Sequence, residues 1–254
     1  MTVLRYLAPR RGTAARRRPG ARKKARPRNG RLLLPAGVLL SVSGVGLAGY
    51  LHLQHHQDAA AAVESEKRSA VQLQQTVQHV EDSWARGIAT GDVGLLRIAR
   101  FDQKGSEFVE PIVDGWTEDD LARGVGLYPD GAKPGERGNV VLAGHRITHG
   151  SPFADFPNLK VGDLVQIETQ HAIVTYKLTT TGTRYRVLDT SVWPTWSTPD
   201  PDNAADLPTT QRYLTLVTCA ETYHTEWRNV AVAREVSRQP VDRAGDGAVT
   251  AVTS

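Results

Sequence analysis

From about Gly94 onward the chain is written as short β-like runs, each broken by Gly, Pro, Asp or Asn before it becomes long. The runs are Leu95–Phe101, Gly138–Gly144, Asp163–Thr169, Ile173–Thr179, Thr183–Leu188, Tyr213–Thr218 and Asn229–Val236. Alternation is plain in two of them. Val165 and Ile167 share one face, and so do Val174, Tyr176 and Leu178. Gln170-His171-Ala172 joins this pair as a hairpin. One helix is expected at Thr117–Arg123, where Thr117 can cap and Asp119 and Asp120 suit the positive end of the helix dipole. Many short strands and few helices leave two architectures, a β-sandwich or a closed barrel. Trp193–Gln211 carries four prolines and no strand pattern, and a loop of that length in a compact domain is usually functional.

The part before Gly94 obeys different rules. The formal charge of the whole chain is +4, but residues 1–31 hold twelve Lys or Arg and no acid, which leaves −8 for the remainder. The uncharged run Leu32–Leu53 follows directly. As a helix rising about 1.5 Å per residue it is long enough to cross a bilayer core. The basic flank then stays in the cytoplasm and everything after Leu53 lies outside. The adjoining apolar run argues against a nucleic-acid arm, and its length argues against a cleaved signal peptide. Beyond it, Leu73, Val77, Val80 and Trp84 recur at helical spacing and mark one apolar face. The expected organisation is a basic cytoplasmic tail (1–31), a transmembrane anchor (32–53), a juxtamembrane helical linker (54–93), a catalytic domain (94–238) and a disordered tail (239–254).

The chain has a single cysteine, Cys219, at the end of a strand-like run. Outside the cytoplasm thiols tend to be paired, so a lone one is either buried and inert or kept for its chemistry. His145 ends a second run, and Arg228 opens a third. A thiolate attacks, an imidazole returns a proton to a leaving group, and a guanidinium steadies an oxyanion. Such a set suits acyl transfer through a thioester. Spacing alone leaves the inert reading equally open: a small buried residue, a loop histidine, and an arginine paired with Glu221 or Glu226.

The local words are more specific. Thr215-Leu216-Val217-Thr218-Cys219 resembles the TLxTC signature of sortases, the transpeptidases that anchor proteins to Gram-positive cell walls. Ala143-Gly144-His145-Arg146 resembles the strand end that carries the histidine of that family, and Arg228 stands where the family places its arginine. The resemblance runs from roughly Leu95 to Val236. It implies an eight-stranded β-barrel with short helices. Cys219 would be the nucleophile, His145 the acid/base residue and Arg228 the substrate and oxyanion clamp. The implied reaction cleaves a C-terminal sorting signal between Thr and Gly and passes the Thr to an amine of a cell-wall precursor, of the lipid II kind. Proteins bearing such signals are the expected partners, with no nucleic acid and no cofactor.

Gly144-His145-Arg146-Ile147-Thr148-His149-Gly150-Ser151-Pro152-Phe153 looks like class E, the housekeeping type of high-GC actinobacteria, which favours LAxTG-like motifs over LPxTG. His149 departs from the aromatic residue expected there. Classes F and D are the next assignments. Thr218, His149, His224 and Trp227 are candidate substrate contacts, and the peptide cleft is expected between the 190–212 loop and the strands bearing Cys219 and Arg228. His145 and His149 are four apart, but the zinc-protease Glu is missing and flanking glycines favour a loop, so no metal is expected. A pilin-polymerising enzyme with a lysine acceptor, and a non-catalytic anchored domain that binds peptide or wall polymer, are the alternative functions.

Overall fold

The computed structural model describes residues 33–85, 93–103, 105–221, 226–242 and 250–251, with side chains described between Ala59 and Val241 within those ranges. The chain divides into two compact units, 1–55 and 56–254. The first contributes the opening of a helix, α1 (Leu33–Ala85). Among the described residues no helix is long and apolar enough to cross a membrane, and the side chains of the expected anchor, 32–53, lie outside them.

The second unit is mainly β. Its strands are β1 (Gly94–Ile98), β2 (Val109–Asp114), β3 (Val125–Leu127), β4 (Gly138–Ala143), β5 (Leu164–Glu168), β6 (Ala172–Leu178), β7 (Tyr185–Leu188), β8 (Arg212–Cys219), β9 (Trp227–Asp242) and β10 (Thr250–Ala251). Eight of them close a ring in the order β9-β6-β5-β1-β2-β3-β4-β8, because β8 pairs back onto β9. Closure removes free sheet edges, and this decides between the two architectures in favour of the barrel. β7 and β10 are short additions on β9. The hairpin expected at Gln170–Ala172 joins β5 and β6, with Val165 facing Tyr176 and Ile167 facing Val174.

Inward-pointing residues from every strand of the ring fill the interior, among them Leu96, Ile112, Val140, Leu142, Ile167, Tyr176, Leu214, Leu216 and Ala231, all fully buried. Phe153 and Phe156 plug it from the loop after β4. The helical linker packs on the outside. Val80 and Trp84 are buried against Leu95, with Val77 and Val109 at the margin, so the face read from the sequence is a docking face. Arg97 fastens the same seam, reaching Glu81 on α1 (3.0 Å) and Glu168 on β5 (2.6 Å).

Candidate active site

Strand register sets the site. β4 and β8 run parallel, with Ala143 opposite Val217, and the Gly144 amide still donates to the Val217 carbonyl (3.1 Å). Two residues past Ala143 is His145, and two past Val217 is Cys219. β9 lies on the other side of β8, antiparallel, with Arg228 directly opposite Cys219. Neighbouring strands are about 4.8 Å apart, so the three residues form one line across three adjacent strands. All three line a cleft of about 330 Å³.

Each is held by its own element. Thr218, nearly fully buried, points to the barrel side of β8 and its hydroxyl donates to the Gly144 carbonyl (2.8 Å). That bond ties the strand before Cys219 to the strand end before His145. Thr218 is therefore a structural fastener of the cleft wall. Arg146 spans the same gap further out, donating to the Ala220 carbonyl. Arg228 is half-buried and reaches Asp189 (3.5 Å), which holds the guanidinium beside the end of β8.

The His145 loop folds back on itself. The Phe153 amide donates to the His145 carbonyl (2.9 Å) and closes its neck. Phe153 then lies against Gly144, where a Cβ would meet its ring at 2.8 Å. His149, Gly150 and Ser151 all have left-handed backbones, with φ of 54°, 82° and 51°. This conformation stacks the His149 ring on that of His145, centroids 4.6 Å apart. The outer side of the loop meets α1. Ser151 donates to Glu66, and a Cβ on Gly150 would meet Leu73 at 2.4 Å.

The far wall of the cleft is Glu118 and Leu121 of α2 (Glu118–Leu121). Thr117 caps this helix as its sequence suggests, in a reciprocal capping box with Asp120. Glu118 thereby presents its carboxylate 3.7 Å from His145 Nε2. Burial lowers the pKa of His145 below the usual imidazole value and the nearby His149 adds to this, while Glu118 and Glu66 oppose it.

The structure corrects one expectation. No residue of the 190–212 loop lines the cleft. The Asn139 side-chain amide donates to the Pro194 and Trp196 carbonyls (both 2.9 Å) and its oxygen accepts from Thr215 (2.9 Å). Asn139 sits near the start of β4, so the loop is fastened at the end of that strand away from His145. Trp193 packs edge-on against Tyr185, and Trp227 lies against Arg186, outside the cleft lining. His224 falls outside the described residues. Sequence reasoning missed Glu118, whose place opposite His145 depends on the packing of α2.

A family model, the Sortase domain, matches residues 96–236. Sortase SrtE1 of Streptomyces coelicolor is 28% identical over 89% of this chain, which spans 62% of the length of that relative. The solved structure of sortase E from Streptomyces avermitilis is 31% identical, with a TM-score of 0.50 over 59% of this chain and 90% of that one. SrtF sortase from Corynebacterium diphtheriae is 26% identical, with a TM-score of 0.51 over 58% of this chain and 85% of that one.

Proposed function

Because the chain belongs to the sortase family of cysteine transpeptidases, we propose that Cys219, His145 and Arg228 are its catalytic residues, acting on a C-terminal sorting signal. The observation that carries this reading is the register of β4, β8 and β9, which draws the three side chains into one cleft.

In the first half-reaction the Cys219 sulfur attacks the threonine carbonyl carbon of the signal. Arg228 stabilises the oxyanion, for which a fixed guanidinium suits better than a flexible ammonium. His145 gives its proton to the departing glycine amine, leaving a thioester on Cys219. In the second, an acceptor amine attacks the thioester, His145 takes the amine proton, and Cys219 leaves. The class E likeness of residues 144–153 favours an LAxTG-like signal and an amine of a cell-wall precursor. The uncharged run 32–53 behind the basic tail supports a single membrane anchor, with the barrel outside the cell.

The test is to incubate the chain from Ala59 onward with LAxTG and LPxTG peptides and a small amine. Amide product forms, faster with LAxTG, and Cys219→Ala abolishes it. Product in that variant, or none with either peptide, ends the reading.

A further inference from the structure

We propose that Glu118, His145 and His149 form a binding site for a divalent first-row cation, best suited to Zn²⁺, which blocks the cleft when occupied. One donor atom from each side chain lies within 4.8 Å of the other two. Two imidazoles and a carboxylate are a donor set that binds zinc with an open fourth position.

The observation that points to a ligand is a pair of orphaned nitrogens. His145 Nε2 and His149 Nδ1 are both buried and have no hydrogen-bond partner among the described residues. The Glu118 carboxylate, at 3.7 Å from His145 Nε2, is too far to bond it. Leaving a buried polar atom unpaired is costly, because it gives up its bonds to water and gains none in return. Proton transfer to and from substrate explains an open Nε2 on His145. It does not explain the second nitrogen, on a residue held over His145 by a left-handed backbone at φ 54°. A cation bonded to both rings satisfies both atoms.

Closing the site takes a contraction and a turn of the rings. Zinc bonds of about 2.0–2.1 Å at tetrahedral angles bring donors to roughly 3.4 Å apart. Glu118 is 78% exposed, so its side chain has room to swing in, and the two imidazoles, stacked at 27°, turn about their side-chain bonds so that one nitrogen of each faces the ion. The sequence argued against a metal because residues 145–149 lack a glutamate; the structure supplies one from α2. Metal on His145 removes the nitrogen that exchanges the proton, so occupancy and transpeptidation exclude each other. Binding stands without the catalytic reading; the blockade rests on it.

The binding arm uses the full chain carrying Cys219→Ala, so that no thiolate contributes. Calorimetric titration with Zn²⁺ is compared with the same chain carrying His149→Asn or Glu118→Gln, and Co²⁺ absorption reports coordination. Asn tolerates the left-handed backbone, and thermal melts check that each variant folds. Each substitution weakens binding at least about tenfold, the loss expected even for an outer-shell partner. Unchanged affinity in the His149→Asn variant, or a zinc site seen only when Cys219 is present, overturns the site. The second arm measures peptide transfer by the unsubstituted chain. Zn²⁺ slows it, a chelator restores it, and an inhibition as strong in His149→Asn as in the parent overturns the blockade. A chain that binds zinc but transfers no peptide under any condition keeps the site and fails the catalytic reading.

Discussion

At the scale of single residues, two side chains of the cleft carry separable duties. The Thr218 hydroxyl donates to the Gly144 carbonyl one residue before His145. Thr218→Val keeps the shape and strands that buried carbonyl, which costs about 1–3 kcal/mol. The expected result is a lower melting temperature together with a lower kcat, since the strand end that aims His145 is then held to β8 by one bond fewer. A melt alongside peptide-transfer kinetics checks it, and an unchanged kcat would restrict Thr218 to packing. Arg228 differs in kind. Arg228→Lys keeps the charge but loses the planar fork that meets Asp189 on one side and, in the proposed mechanism, the oxyanion on the other. The fold should survive, while kcat/KM falls by roughly 10²–10³-fold, as when an oxyanion-hole donor is removed. Steady-state kinetics with an intact melting temperature is the check.

At the scale of elements, the helical linker supports the His145 loop as well as the barrel wall. Val80 and Trp84 anchor its end against Leu95, and Leu73 and Glu66 reach forward to Gly150 and Ser151. A chain starting at Gln75 instead of Ala59 keeps the anchor and loses both forward contacts. Amide exchange within residues 146–152 should then quicken and peptide transfer slow, while the exchange-protected strands of the ring remain so. The same helix shows what was legible in the sequence. Its apolar face was readable because burial there is periodic, whereas its contact with Gly150 was not, because it joins residues about eighty positions apart. The meeting of Cys219, His145 and Arg228 in one cleft was readable because each sits at a strand end beside a distinctive local word. β2 was hidden because Glu110 and Pro111 break its alternation, and three-residue β3 offers too few positions to show a period. The 190–212 loop was given to the cleft on length alone, and the side chain that hydrogen-bonds it elsewhere, Asn139, belongs to β4, far away in sequence.

At the scale of the whole molecule, closing eight strands into a ring leaves one acidic side chain on the wrong side of the balance between burial and charge. Glu110 precedes Ile112 by two positions on β2, so both point inward, and it lies opposite Leu96 of the core. Its Oε2 is buried without a hydrogen-bond partner among the described residues. Burial pushes its pKa up from 4.5 to about 8. The folded chain therefore holds a proton that the unfolded chain releases. Stability from this group is complete below pH 4.5, where both states are protonated, and is lost as the pH rises towards 8, where the folded state must bury a charge or surrender its proton. Glu110→Gln keeps the shape and removes the titration. Its melting temperature at pH 8 should exceed that of the parent by on the order of 10 °C, because about 1.4 kcal/mol is lost per pH unit between the two pKa values and each 1 kcal/mol is worth about 2–4 °C. Near pH 4.5 the two chains should melt together, because each then carries a neutral side chain at that position. Melts of parent and variant between pH 4.5 and pH 8.5 check this, and parallel curves across the range would show that Glu110 finds solvent or a partner in the folded chain.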